Sequence, residues 1–175
     1  ISSQVISREA DFAVATEVPE DIPELVLIPS IEWRHVVLVP DGHPLIGQPV
    51  TLERLAQYKI VTYVEAFAGR RRIDRAFEQA GIEPDIVLSA IDSDVIKTYV
   101  SLGLGIGIVA GMAYDPVRDR GLVALPAGHL FGVNRVRLAV HRAAYLRGFA
   151  IAFIELLAPD ADRALIESSR SAGTA

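Results

Sequence analysis

A helix pattern that runs directly into a glycine-rich strand pattern, between Asp92 and Ala110, constrains this chain more than any other feature. Asp92 or Ser93 can accept hydrogen bonds from the backbone N–H groups of a first helical turn. Gly103 can take the left-handed conformation that ends a helix. The glycines at 103, 105 and 107 then share one side of a strand, which leaves that side without side chains. Another backbone, a helix or a ligand must approach there, so the run predicts a close-packed helix–strand unit of an α/β core.

The spacing of these glycines also resembles part of a dinucleotide-binding fingerprint. That fingerprint needs a strand, then glycines, then a helix, because the pyrophosphate binds at the helix N-terminus. Here the order is helix, glycines, strand, and Ile108 stands where the third glycine would be. We therefore interpret the glycines as packing residues.

Composition sets further bounds on the chain. With 175 residues and 51% hydrophobic content, it is long enough for one domain or two small lobes with a buried core. The formal net charge of −5 argues against binding a phosphate backbone by itself. The absence of cysteine excludes disulfides, thiolate catalysis and cysteine metal sites. The same absence fits a cytoplasmic protein, which is the location we expect. No run reaches the roughly 20 apolar residues that span a bilayer, and no secretory signal is visible at Ile1. Because no start methionine is present, we expect the chain to be a fragment or a processed form.

The middle of the chain alternates regularly between strand and helix patterns. The predicted order is strand Ile60–Val64, helix Arg70–Ala80, strand Asp85–Leu88, helix Asp94–Leu102 and strand Leu104–Val109. Strands that alternate with helices of this length predict right-handed crossovers and a parallel sheet.

The flanking regions carry weaker patterns. They predict the strands Asp11–Thr16, Leu25–Ile28, His35–Val39, Leu122–Leu125 and Val136–His141, and the helices Leu52–Gln57 and Tyr145–Leu157. The end of the chain, from Ser168, is small and polar, and we expect it to fray.

The segment from Thr62 to Arg72 is the best candidate for a ligand site. It leaves a strand, turns and opens a helix, and ligands of open α/β sheets bind at such strand ends. Free backbone N–H groups at the helix start attract anions, and the Thr62 hydroxyl can both donate and accept. The arginines at 70 to 72 oppose the helix dipole, and a bound anion would offset that cost. A solvated basic turn without a ligand fits the residues equally well.

Two other side chains are candidates for the same ligand. Thr16 ends a predicted strand, so its hydroxyl could point into a strand-end cleft, although the residue taken by itself favours a turn cap. Trp33, the only tryptophan, belongs either to the core or to the wall of a ligand cleft.

The sequence predicts no catalytic residues, no metal site and no cofactor. The four histidines lack metal-ligand spacing, and neither an HExxH motif nor a GxSxG elbow is present. Asp92 and Asp94 surround a helix start and are interpreted as caps. We therefore expect that the chain is not an enzyme.

Several segments together resemble the effector-binding domain of LysR-type transcriptional regulators, within the branch of CysB and Cbl. The matching segments are Ala10–Glu17, Gly42–Leu45, Leu55–Tyr58, Val61–Tyr63, Gly69-Arg70, Ala76-Phe77, Ala80-Gly81 and Asp92–Ala110. The run Asp94–Val100 is particular to that branch.

This resemblance implies an α/β fold of two periplasmic-binding-protein-like (type II), Rossmann-like lobes joined by two crossing strands. Residues 1–34 and 133–165 would form a first lobe that is incomplete at its N-terminus, 35–132 the second lobe, and 166–175 a flexible C-terminal tail. The crossing strands would be His35–Pro40 and the stretch near Phe131–Val136. The resemblance also implies an N-terminal helix-turn-helix domain absent from this chain, so we expect the chain not to bind DNA by itself.

The resemblance further implies a small anionic effector and a homo-oligomer, a homotetramer in particular, that controls sulfur assimilation genes. Thr16 matches a threonine of the sulfate-contacting set, whereas Val64 and Ala68 replace threonines of that set, and Glu65 adds a negative charge. Sulfate, an acetylserine and adenylyl sulfate therefore all stay open as ligands. The predicted ligand-binding residues are Thr16, Trp33, Thr62, Tyr63, Val64, Phe67, Ala68, Gly69 and Arg70.

Two other functions share this architecture. A periplasmic solute-binding protein has the same lobes, and a small transferase could use an α/β scaffold. We expect no membrane association under the regulator interpretation.

Overall fold

The computed structural model describes residues 2–16 and 18–159. Within them the strands are β1 Phe12–Ala15, β2 Leu25–Pro40, β3 Ile60–Tyr63, β4 Ile86–Ala90, β5 Ile106–Ala110, β6 Leu122–Pro126 and β7 Val133–His141. The α-helices in the same residues are α1 Ser2–Ile6, α2 Leu52–Leu55, α3 Ala68–Ala80, α4 Ser93–Ser101, α5 Gly128–Phe131 and α6 Gly148–Leu157. The predicted tail at 166–175, and positions 160–165 of the predicted first lobe, lie outside the described residues.

The chain divides into two compact units. Unit 1 comprises Ile1–Glu32 and Arg135–Ala175, and unit 2 comprises Trp33–Asn134. The chain leaves unit 1 within β2 and returns to it within β7.

Unit 2 contains the predicted parallel sheet. β3 pairs in parallel with β4 and with β5, so that Ile60 lies opposite both Ile86 and Ile106. The second half of β2 then pairs antiparallel with β5 and with β6, and β4 is the edge strand. The parallel crossovers place the start of α3 directly after the carboxyl end of β3, where the sequence predicts the ligand site.

Each face of this sheet is covered by one main helix. On one face α3 buries Ile73 and Phe77, and on the other face α4 buries Ile96 and Val100. Burying each such side chain contributes roughly 1.5–3 kcal/mol to folding. The ends of both helices follow the sequence signals: Asp92 accepts a 2.7 Å hydrogen bond from the backbone N–H of the second helical residue, and Gly81 ends α3 at a φ of 66°.

The glycine run differs in detail from its prediction. The strand β5 begins only at Ile106, so Gly103 ends α4 with a φ of 79° and does not share a strand face. A Cβ at Gly105 would overlap the backbone oxygen of Lys59, and one at Gly107 would lie 2.9 Å from Val100 Cγ2. The predicted close approach is therefore present at both glycines. The backbone of Lys59 approaches Gly105, and the helix α4 approaches Gly107.

Unit 1 has the strand order β1-β7-β2, with β1 antiparallel to β7. On one side of these strands Val5 of α1 packs against Leu25 and Ala139. On the other side Ala150 and Ile154 of α6 pack against the strands.

Several predicted boundaries were wrong. Leu25–Ile28 and His35–Val39 are parts of the single strand β2. The residues between them are exposed or partly buried, so the buried apolar pattern is interrupted although the strand continues. The last helix begins at Gly148 instead of Tyr145, and the short helices α1 and α5 gave no sequence signal. One-turn helices carry too few residues for a periodic pattern.

Candidate functional site

The candidate site is the N-terminus of α3 in unit 2. The side chain of the N-cap residue Phe67 cannot accept a hydrogen bond, and no acidic residue lies in the first turn. The N–H groups of Arg70 and Arg71 bond to the carbonyl of Phe67, whereas that of Ala68 has no partner in the part of the chain that is described. The positive end of this helix dipole is therefore not neutralised by its own first turn.

Arg70 anchors the helix start to the strand ends. Its guanidinium donates to the carbonyl of Tyr63 at 2.7 Å, to Ser89 Oγ at 3.1 Å and to Asp74 Oδ1 at 2.6 Å. The Arg70 side chain and its bond to the Tyr63 carbonyl are buried, whereas the Asp74 carboxylate is partly exposed. The structure thus gives Arg70 a positioning role, and its contact with a ligand stays a prediction.

Thr62 and Tyr63 are held within the sheet. The fully buried Thr62 hydroxyl donates to the carbonyl of Ile108 at 2.8 Å. The Tyr63 hydroxyl accepts from the N–H of Ala110 at 3.2 Å, and its ring stacks on Phe67 at 5.5 Å between centroids. These contacts fix β3 against β5 and place Phe67 on the turn before the helix.

Trp33 covers the start of α3. A Cβ at Gly69 would lie 2.8 Å from Trp33 Cη2 and 3.2 Å from His35 Nε2, so only glycine fits beneath the two rings. The partly buried indole of Trp33 meets the His35 ring edge-on at 4.9 Å between centroids. Trp33 therefore belongs neither to the deep core nor to open surface.

His35 and Asn134 form a buried polar pair beside Gly69 that the sequence did not reveal. His35 is 1% exposed, and its Nδ1 lies 3.5 Å from Asn134 Nδ2. Neither His35 Nε2 nor Asn134 Oδ1 makes a hydrogen bond of normal geometry with any described residue. Since unpartnered buried polar atoms destabilise a fold, this pair marks a place where another polar group fits. A histidine within a strand pattern and a lone asparagine carry no such signal in sequence.

The environment of His35 keeps its ring neutral. Burial, together with the positive charge of Arg72, lowers the pKa of His35 to about 4, while the backbone of Gly69 opposes this change. Phe131 meets the ring edge-on from α5 at 5.3 Å. At neutral pH the ring therefore carries one proton, and since Nδ1 faces the Asn134 amide N–H we assign that proton to Nε2.

The remaining predicted residues lie as follows. Val64 and Ala68 are partly buried, whereas Phe67 is exposed. Thr16 follows β1 in unit 1, and its side chain is partly buried. Unit 2 thus brings together eight of the nine predicted residues, and the role of each toward a ligand stays a prediction.

Two structural findings bear on the other function classes. Among the residues described, no group of three or more His, Cys, Asp or Glu side chains could hold a metal ion. None of the helices in that part of the chain has the length and apolar character needed to cross a membrane.

The chain is similar to known regulators over almost its whole length. Residues 1–162 match the family model of the LysR substrate binding domain. The chain is 52% identical over 170 residues to the HTH-type transcriptional regulator CysB of Burkholderia cenocepacia, covering 97% of this chain and 54% of that protein. It is 42% identical over 175 residues to the regulator Cbl of Escherichia coli, covering 97% and 55%. The chain thus spans about half the length of these curated relatives, which are transcriptional regulators and not enzymes.

The fold agrees with this similarity. The crystal structure of the cofactor-binding domain of the Cbl transcriptional regulator superposes with a TM-score of 0.85 at 40% identity, covering all 100% of this chain and 76% of that one. The match confirms the predicted α/β fold, which is periplasmic-binding-protein-like. The chain therefore belongs to the LysR substrate-binding domain family, among the relatives of CysB and Cbl.

Proposed function

We propose that this chain is the inducer-sensing domain of a CysB-like DNA-binding transcriptional regulator that controls sulfur assimilation genes. Its ligand is a small anion or an acetylserine-type molecule. The observation that carries the proposal is the uncapped N-terminus of α3, next to the unpartnered polar atoms of His35 and Asn134.

The helix start supplies the anion-binding element. Free N–H groups and the helix dipole favour negative charge at this point. The first turn carries arginines at 70 to 72 and no carboxylate, so its charged side chains are all positive. Glu65, which is exposed on the preceding turn, is the nearest negative charge in sequence.

The buried pair of His35 and Asn134 favours some of the three ligand classes, sulfate, acetylserine and adenylyl sulfate, over others. With the proton on Nε2, His35 can donate, and Asn134 Oδ1 can accept. Sulfate at neutral pH offers acceptors only, whereas an acetylserine offers an N–H donor as well. The pair therefore supports an acetylserine-type ligand or adenylyl sulfate over inorganic sulfate.

The ligand acts on transcription through its preference for one conformation of the regulator. A ligand shifts such an equilibrium only by its differential affinity for the two states. DNA contact through an N-terminal helix-turn-helix domain, and assembly into a homotetramer, belong to the same proposal. A periplasmic solute-binding role and a transferase role are not favoured, because the relatives are transcriptional regulators.

The test is a calorimetric titration of the full-length regulator with sulfate, O-acetylserine, N-acetylserine and adenylyl sulfate. We expect saturable binding of an acetylserine or of adenylyl sulfate, weakened at least tenfold in Arg72→Gln. Arg75→Gln, an exposed arginine one turn further along α3, is the matched control and should bind like the parent. A folded protein that binds none of the four compounds would refute the link to sulfur metabolism.

A further inference from the structure

Unit 1 contains an open surface pocket of about 440 Å³ whose lining includes no residue of α3. Arg137 and Arg142 line it together with Glu20, and its apolar lining includes Leu25, Leu27 and Pro29. A neighbouring pocket of about 330 Å³ shares Pro29 and Arg137 with it. Arg137 therefore stands between two openings in the surface of unit 1.

Arg137 is a largely buried cation with an exposed counterion. Its side chain is 22% exposed, whereas the Glu20 carboxylate that pairs with it is 74% exposed. Glu20 lies in the segment between β1 and β2, outside any regular element. An ion pair with a solvated partner contributes little to folding stability. Another carboxylate can therefore replace Glu20 beside Arg137 with little loss of stability.

Arg142 adds a second positive charge to the lining of the pocket. Its guanidinium donates to the carbonyl of Pro23 at 3.0 Å and to that of Leu25 at 3.4 Å. No carboxylate among the described residues forms an ion pair with it. The pocket therefore carries two arginines against one glutamate, on a chain whose formal net charge is −5.

The apolar lining completes the chemistry of the site. Small-molecule sites combine apolar surface with polar groups that fix the orientation of the ligand, and both kinds of group line this open pocket. Leu25 and Leu27 lie two residues apart on β2 and so face the same side of the strand, with Pro29 continuing that row. A positive group beside an aliphatic row matches a molecule with one carboxylate and a short aliphatic body.

We propose that this pocket is a second binding site, which takes an aliphatic monocarboxylate. The carboxylate pairs with Arg137 in place of Glu20, as a planar guanidinium favours. The aliphatic body packs against Leu25, Leu27 and Pro29. The site lies within unit 1, next to the end of β1, whereas the start of α3 belongs to unit 2.

In this site Glu20 competes with the ligand for Arg137, whereas in a purely structural ion pair it would not. The experiment measures binding of hexanoate to the full chain by titration calorimetry, with hexan-1-ol as the neutral comparison. We expect saturable hexanoate binding, at least tenfold weaker binding of the alcohol, and at least threefold tighter hexanoate binding in Glu20→Gln. Glu24→Gln, an exposed carboxylate of the same segment, should leave the affinity unchanged.

Arg137→Gln should lose at least tenfold in hexanoate affinity, and Arg147→Gln, which is exposed and outside the pocket, should not. If Arg137→Gln does not fold, the Glu20→Gln result alone decides. Absence of saturable binding to both the parent and Glu20→Gln would overturn the proposal, as would equal affinity in those two proteins. Arg72→Gln at the α3 site should bind hexanoate like the parent, so failure of either site is distinguished from failure of the other.

Discussion

The indole of Trp33 lies so close to the backbone of Gly69 that a Cβ at that glycine would come within 2.8 Å of Trp33 Cη2. The contact joins the strand β2 to the first turn of α3, where the proposed effector binds. Glycine at this position therefore sets the distance between an aromatic wall and the free helix N-terminus.

Gly69→Ala should displace the indole and destabilise unit 2 by about 1–2 kcal/mol, because overpacking exceeds the gain in helix propensity. Since Trp33 is the only tryptophan, its fluorescence emission reports the displacement directly. Gly148→Ala is the matched control, because a Cβ there meets nothing within 4 Å. Unchanged emission in Gly69→Ala would show that the indole does not pack on the helix start.

A second prediction concerns the two glycines before and within β5. Gly105→Ala should destabilise the protein by about 3 kcal/mol, because its Cβ would overlap the backbone oxygen of Lys59, which cannot rotate away. Gly107→Ala should cost about 1–2 kcal/mol, since it meets the methyl group Val100 Cγ2, which can shift. Urea denaturation of the two variants tests this order, and the reverse order would contradict the assigned contacts.

These glycines show what sequence can and cannot establish. The run from Asp92 to Gly103 predicted the cap, the helix and its end, because each signal is local to a few residues. The approach of Lys59 to Gly105 joins positions far apart in sequence, so a pattern could indicate a close contact without identifying its partner. The same limit hid the His35–Asn134 pair, whose members lie 99 positions apart. The helix start after β3 was predictable from the sequence, whereas the hydrogen bonds that commit Arg70 to the fold were not.

The His35 ring predicts how stability depends on pH. Its pKa is lowered from 6.5 to about 4 in the folded protein, so between these values the unfolded chain binds the extra proton and the folded protein does not. Stability should therefore fall as pH decreases from about 6.5 to about 4, by up to about 3 kcal/mol, and the His35 contribution should level off below that. His35→Gln should flatten this part of the profile, measured by urea denaturation across the range. His141→Gln, which lies in unit 1, is the control and should keep the slope.

The N-cap of α4 gives a fourth prediction. Asp92→Ala removes the acceptor of the 2.7 Å bond from the Asp94 N–H and should destabilise the fold by about 1 kcal/mol. Asp92→Asn keeps a side-chain oxygen at the same place, and its stability should stay close to that of the parent. A loss of similar size in both variants, measured by thermal denaturation, would assign the effect to charge instead of to capping.

The last prediction separates the positioning role of Arg70 from a role in ligand binding. Arg70→Gln removes the charged group that donates hydrogen bonds to the Tyr63 carbonyl and to Ser89 Oγ, so it should destabilise unit 2 by about 2 kcal/mol. Arg75→Gln, which is exposed on the same helix, should change stability by less than about 0.5 kcal/mol. The two variants are then titrated with the acetylserines at a temperature where both are folded. We expect lost stability with near-parental affinity, which would confirm that Arg70 acts by holding the end of β3 to the start of α3. Unchanged stability with an affinity that is lost in Arg70→Gln and is not restored in Arg70→Lys would instead assign Arg70 to the ligand.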